Sequence, residues 1–241
     1  MPESRPRVSL IIPAYNEARR ICATLERAAT YFSEQGYPYE IIVVDDGSTD
    51  DTRAVVPGFA PGVRLITYSG NRGKGYAMRR GLEEALGAYR IVYDADASTP
   101  IEEIDKLWPE FENGAAVILG SRALPDSDVQ VRQPKYRRMM GRMYNLLLRG
   151  LRLTTFRDTQ CGFKAFTEES CALILPRLRV NGFGADCEML FIAQLHGLAV
   201  VEVPIRWINS LESRVNPLLD SFHMFREVLG IRVNAFLGRY R

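Results

Sequence analysis

Two imidazoles, His196 and His223, are all that the 241 residues carry, so chemistry built on a histidine-ligated metal is not expected. The four cysteines, Cys22, Cys161, Cys171 and Cys187, include no C-x-x-C pair; this excludes a zinc ribbon or a disulfide frame and points to reduced thiols in a cytosolic protein. No apolar run approaches the roughly 18 residues of a spanning helix, and residues 1–7 lack the apolar core of a secretory signal. The chain is therefore expected to be soluble or peripheral. No G-x-G-x-x-G follows its first apolar run, which argues against a dinucleotide-binding dehydrogenase. Gly73-Lys74-Gly75 lacks the spacing G-x-x-x-x-G-K-[ST], which excludes a Walker loop. Lys74 stays a candidate to face a phosphate, beside its plainer reading as part of a glycine turn that opens a helix. Net charge is only +2, which speaks against general polyanion binding and a nucleic-acid partner. Internal repeats and low-complexity segments are absent as well.

What is present reads as one α/β domain over residues 1–241, because a 46% hydrophobic content can bury one sizeable core. Val8-Ser9-Leu10-Ile11-Ile12, Ile41–Val44, Val63–Tyr68, Arg90–Tyr93 and Ala115–Leu119 are short apolar runs of strand type. Between them lie helical periods, such as Ile21, Leu25, Ala28, Ala29 and Phe32, then Met78, Leu82 and Leu86, and a helix from about Pro100 to Asn113. Strands alternating with helices predict a mostly parallel, Rossmann-like sheet covered on both faces.

The fourth strand ends in Asp94-Ala95-Asp96. If the backbone stays extended, these two carboxylates project the same way and can share one hard cation, Mg²⁺ or Mn²⁺, that also holds a phosphate. An acid pair after a strand serves equally well as a helix cap, and Ser98-Thr99-Pro100 with Glu102-Glu103 makes a good helix start. The first and second strands also run into polar loops, Pro13-Ala14-Tyr15-Asn16-Glu17 and Asp45-Asp46-Gly47-Ser48. In a parallel sheet all three loops reach one edge, where open α/β sheets bind ligands. Pro13, Ala14, Tyr15, Glu17, Asp45, Asp46, Asp94 and Asp96 would then line one crevice suited to a nucleotide, its ribose and its metal-bound diphosphate.

Taken together, these motifs resemble the donor half of an inverting family 2 glycosyltransferase with a GT-A fold. Gly120-Ser121-Arg122, Asp158-Thr159-Gln160-Cys161-Gly162-Phe163-Lys164, Gly182-Phe183-Gly184-Ala185-Asp186-Cys187-Glu188 and Val203-Pro204-Ile205-Arg206-Trp207 extend the resemblance to polyprenyl-phosphate sugar synthases, such as those making dolichyl-phosphate glucose and mannose. The resemblance implies that Tyr15 and Asp46 contact the base, Glu17 and Asp94 the nucleoside, and Asp96 the diphosphate metal. It further implies a donor half over 8–122, an acceptor half over 123–214 and a C-terminal amphipathic segment over 215–241. Ser98 and Gly141 depart from the family's usual residues at the metal side and near the phosphate.

From Arg132 to Arg157 there are eight basic residues and no acid. Tyr136, Met139, Met140, Met143, Tyr144, Leu147, Leu148 and Leu151 form an apolar stripe within that stretch, so a basic amphipathic helix is expected near 133–152. Such a helix suits a membrane surface, where a polyprenyl or dolichyl phosphate resides, and peripheral attachment at the cytoplasmic face is expected. A second apolar face comprises Leu218, Phe222, Phe225, Leu229, Val233, Phe236 and Tyr240.

In this reading a phosphate acceptor, already largely dianionic at neutral pH, attacks the sugar of UDP-glucose, or alternatively GDP-mannose, and inverts its anomeric centre. Arg122 and Arg137 are the primary candidates to bind the acceptor phosphate; Lys164, Arg206 and Arg214 are further ones. Asp158 would position the acceptor, or act as base toward a hydroxyl acceptor, and Glu188 would hold an arginine. Competing readings are transfer to a glycan hydroxyl and a membrane-surface binding module without turnover.

Overall fold

The computed structural model describes residues 5–130, 135–208 and 217–241, with backbone alone at 135–138, 142 and 217–221. β1 (Val8–Ala14) shows the period of two that a sheet covered on both faces requires. Its Leu10 and Ile12 enter one buried cluster, and Ile11 enters the other. α1 (Ile21–Gln35) buries Ile21, Leu25, Ala28 and Phe32 and stops at Gly36, whose φ of 70° is the left-handed conformation that ends helices. β2 (Tyr39–Asp45), α2 (Thr52–Val55), β3 (Val63–Thr67), α3 (Lys74–Glu84) and β4 (Tyr89–Val92) follow. The expected helix over 100–113 divides into a 3₁₀ turn, Ile101–Lys106, and α4 (Leu107–Glu112). Pro109 has no N–H to bond residue 105, so one continuous α-helical ladder cannot form there.

β5 (Val117–Ser121), β6 (Asp128–Val129), α5 (Lys135–Gly150), β7 (Lys164–Thr167), α6 (Glu168–Ile174), α7 (Ala185–Leu195), β8 (Val200–Pro204), β9 (Arg206–Trp207) and α8 (Pro217–Phe236) complete the chain. The sheet has seven strands in the order β3-β2-β1-β4-β7-β5-β8. All run parallel except β7, which lies antiparallel between β4 and β5. β6 and β9 form a separate two-stranded ribbon.

This topology sets the position of the site. The carboxyl ends of β1, β2, β4 and β5 share one edge, and β7 starts at that edge because it runs the other way. Lys164, its first residue, pairs with Val92 and with Leu119.

α8 leaves most of the apolar face read in the sequence uncovered. Val228 and Ile231 are buried, whereas Phe222, Phe225, Leu229, Val233 and Phe236 point outward, and Phe236 is 89% exposed. Tyr240 lies past the end of the helix and is fully buried. α8 packs against α7, its buried residues Val228 and Ile231 enter the cluster that α7 also joins, and the aromatic stripe stays exposed.

Candidate active site

The loop after β1 is stitched to the loop after β2. Asn16 adopts a left-handed φ of 56°, which asparagine tolerates better than most residues. From there its side-chain oxygen accepts the Thr49 N–H at 2.8 Å, while its own N–H donates to Ser48 Oγ at 2.9 Å. The Glu17 N–H donates to Thr52 Oγ1 at 2.8 Å. Tyr15, 39% exposed, is left projecting between these loops. Glu17 is ion-paired with Arg20 at 2.6 Å.

Asp45 and Asp46 do not present free carboxylates. Asp45 is fully buried, accepts the Ser48 N–H at 3.2 Å and pairs with Arg53 at 2.5 Å. Asp46 accepts the N–H groups of Arg72 and Gly73 at 2.7 and 2.9 Å and the Tyr68 hydroxyl at 2.9 Å. The Asp46 bonds tie the loop after β2 to the segment after β3. A side chain at Gly47, whose φ is 74°, would collide with the backbone of Gly70, so the two loops pack main chain to main chain.

At the end of β4 the backbone does not stay extended. The Ala97 N–H closes a turn on the Asp94 carbonyl at 3.1 Å, and Ala97 itself has a φ of 49°. Asp94 pairs with Lys74 at 2.8 Å, and Asp96 accepts the Ser98 N–H at 3.0 Å. The expected common projection of the two acids is thus replaced by a turn in which each has its own first partner. Burial by itself would raise the Asp94 carboxyl, but Lys74, with Lys164 and Arg122 farther off, holds it below the usual carboxylate range. Lys74 is desolvated too, yet Asp94 and Asp186 keep its ammonium more firmly protonated than an ordinary lysine. Ser98 Oγ is buried without a hydrogen-bond partner two residues from Asp96. No group of three or more His, Cys, Asp and Glu side chains converges among the described residues, so any ion here needs oxygens from its ligand.

Arg122, one residue beyond β5, makes a fork to Asp158: Nε to Oδ2 at 2.7 Å and a terminal nitrogen to Oδ1 at 2.8 Å. Its backbone N–H adds a third bond at 3.0 Å, and its guanidinium lies 5.2 Å from the Trp207 ring centroid. Burial alone would raise Asp158, but Arg122 outweighs it and keeps the carboxyl below the usual range. The Ile208 N–H donates to the Ser98 carbonyl at 2.7 Å, which lays β9 and Arg206 against the Asp96 loop. Arg206 is 3.8 Å from Glu102, and its buried Nε has no hydrogen-bond partner.

Lys164 departs from the expected role. It is buried, with its ammonium on Asp186 at 2.5 Å and on the Cys161 carbonyl, so no free cation faces an acceptor. Among the described residues Glu188 pairs with no guanidinium; it accepts the N–H groups of Arg179 and Val180 at 2.9 and 2.8 Å and the hydroxyl of Tyr240 at 2.5 Å. Arg137 lies in α5 where only backbone is described, and Arg214 falls outside the described residues. Gly141 has open space where a side chain would stand. Burial pushes the Cys161 thiol up to about 11 and those of Cys171 and Cys187 to about 12, so none is a thiolate at neutral pH.

Four further contributors lie within the quoted motifs, yet residue type alone gave none of them a role. Gly162 lies against Asp94 so closely that a Cβ would overlap the carboxylate. Asp186 anchors Lys164, Trp207 underlies Arg122, and the buried Gln160 amide nitrogen has no partner. All but Asp186 depend on the antiparallel β7 or the β6–β9 ribbon being brought to this edge.

The sheet order and the acid-lined edge define a GT-A-type glycosyltransferase domain. Glucosyl-3-phosphoglycerate synthase from Mycobacterium tuberculosis, solved with Mn²⁺, uridine diphosphate and phosphoglyceric acid, superposes with a TM-score of 0.73 at 22% identity over 98% of this chain and 78% of that one. The same enzyme with Mn²⁺ and UDP-glucose gives 0.71 at 22% identity, covering 97% and 79%. Residues 9–173 match the model described as Glycosyl transferase family 2, and the chain belongs to that family. Dolichyl-phosphate beta-glucosyltransferases of Dictyostelium discoideum and Homo sapiens are each 31% identical to it over 97% of its length, covering 76% and 77% of theirs. The Saccharomyces cerevisiae protein of that name is likewise 31% identical, over 97% of this chain and 76% of its own.

Proposed function

We propose that this enzyme transfers glucose from UDP-glucose to a dolichyl or other polyprenyl phosphate, with inversion. The observation that carries this reading is the Arg122–Asp158 fork at the carboxyl edge of the sheet. Both Asp158 oxygens are engaged and its proton affinity is depressed, which suits it to holding Arg122 and not to taking a proton from a hydroxyl. A phosphate acceptor needs no base, because its second pKa is about 6. It does need a fixed cation, and Arg122 on Trp207 is one; Arg206, next to Trp207 in β9, is a second candidate.

In the reaction, an acceptor phosphate oxygen forms a bond to the anomeric carbon as the bond from that carbon to the β-phosphate oxygen breaks. The electron pair leaves with uridine diphosphate, and an α-linked donor gives a β-linked lipid phosphate. Tyr15 would cover the base. Pro13 and Ala14 would set the depth of its slot, and Asp46 would shape the opposite wall through residues 72–73. Lys74 would exchange Asp94 for the donor diphosphate. Asp96, with Asp94 behind it, fits Mg²⁺ or Mn²⁺, which when bound supplies Lewis-acid stabilisation to the departing diphosphate.

The membrane surface is part of this proposal. No described helix is long and apolar enough to cross a bilayer. Met139, Met143 and Leu146 on α5, and Phe222, Phe225 and Phe236 on α8, are exposed apolar side chains able to enter its interface. Attachment at a cytoplasmic face follows from the free thiols read in the sequence.

The test supplies purified protein with labelled UDP-glucose or GDP-mannose, Mn²⁺, and either a short-chain prenyl phosphate or the matching prenol. Label from UDP-glucose in the phosphate product alone is expected. Transfer to the prenol, or from GDP-mannose alone, would contradict the proposal.

A further inference from the structure

A cleft of about 630 Å³ opens where α5 ends, bounded by the segment after it and by α7. Its polar wall includes Arg149, Arg152 and Arg157, and its apolar floor includes Leu153, Phe191 and Leu195. Its lining includes none of Asp94, Asp96, Arg122, Asp158 and Lys164. Asp186, beside Lys164, and Leu195, on the cleft, are nine residues apart on one helix, about 13 Å at 1.5 Å per residue. Arg157 lines the cleft, while its neighbour Asp158 serves Arg122.

No ion pair to any of the three arginines is found among the described residues. Glu202 meets this segment through the backbone N–H groups of Arg157 and Asp158, not through a guanidinium. Arg152 has a left-handed φ of 52° at the point where α5 closes, a position that glycine usually takes. The carboxyl end of α5 favours a nearby cation, which accounts for one arginine but not for three around one apolar floor.

Three unopposed guanidiniums over leucine and phenylalanine match an anionic amphiphile. α5, which ends at this cleft, also exposes Met139, Met143 and Leu146. We propose that the cleft seats the phosphodiester headgroup of an acidic phospholipid, with the first acyl carbons on Leu153, Phe191 and Leu195. This deepens the membrane-surface part of the function reading and rests on it. The seat would fix the rotation of the enzyme on the bilayer, where otherwise only its apolar helix faces would act.

The test titrates dihexanoyl phosphatidylglycerol, kept below its micelle concentration, into the full chain and follows binding by calorimetry. A diester is used so that a site for a phosphate monoester acceptor does not compete. Saturable binding of one lipid per chain is expected. Arg149→Gln, Arg152→Gln and Arg157→Gln together should weaken it by about a hundredfold, at roughly fivefold per arginine. Leu195→Glu, which places a carboxylate on the apolar floor, should weaken it as well. Inorganic phosphate at equal concentration should not compete. Equal competition would make this a free-phosphate site and overturn the proposal, as would absence of saturation or unchanged affinity in the triple variant. Glucose transfer to a short-chain prenyl phosphate in detergent should be the same in the triple variant as in wild type; a loss would merge the cleft with the acceptor site and also overturn it. The two readings fail separately, since wild-type protein without glucose transfer contradicts the transferase, not the lipid titration.

Discussion

Asp158 and Arg122 spend three hydrogen bonds on each other, and that commitment decides what either can do. Because the Asp158 carboxyl is held below its ordinary 3.8, its stabilising contribution is complete above that value and is lost as pH falls through the lower folded value. Asp158→Asn should therefore lower denaturant stability at pH 7, with the gap to wild type narrowing toward pH 3. Gly162→Ala is expected to remove glucose transfer while leaving a folded chain by circular dichroism, because the added methyl would displace Asp94. Asp94, Asp96 and Arg122 were legible in the sequence as the acids and the cation that end strands. Asp45 and Lys164 carry residue types as suggestive as those, and the difference is burial: one lies under Arg53, the other on Asp186. Residue type at a strand end marks where a side chain starts, not which way it turns.

Elements were legible where apolar runs were long. β1 to β5 and most of the helical stretches between them follow from period and punctuation, although Leu86 lies exposed past the end of α3 and the 100–113 stretch divides. β7, by contrast, is a four-residue strand with a lysine at its first position. Its place between β4 and β5 is a non-local choice that no local pattern records, and it brings Gly162 against Asp94. α8 shows the converse. Its aromatic stripe was visible, but the buried cluster takes Val228 and Ile231 instead. The chain beyond α8 is tied down by the Tyr240 hydroxyl on Glu188, and α8 itself by Glu227, which accepts the Gly184 N–H at 2.8 Å. Tyr240→Phe leaves one buried carboxylate bond unmade and should cost about 1 to 2 kcal/mol in urea unfolding, without altering the affinity for uridine diphosphate. An unchanged midpoint would show that this tie contributes nothing.

For the whole molecule, the proposed function asks the acid-lined edge and the exposed apolar faces to serve one reaction at a bilayer. Phe222→Ser with Phe236→Ser should reduce flotation with vesicles by on the order of tenfold or more, since each Phe carries roughly 1.5 to 3 kcal/mol of burial when fully covered. Transfer to a short-chain acceptor in detergent should not change. If a cation sits at the Asp96 loop as proposed, EDTA should abolish that transfer and Mn²⁺ restore it. The central claim is that the acceptor is a phosphate needing no protein base, and the most direct measurement is the pH dependence of kcat/KM for a short-chain prenyl phosphate. The wild-type rate should be level above about pH 7 and fall on the acid side near pH 6, with protonation of the acceptor phosphate. Asp158→Asn should lower the whole curve, because Arg122 loses its anchor, and keep its shape. An acid limb that disappears in Asp158→Asn would identify Asp158 as a base and contradict the account.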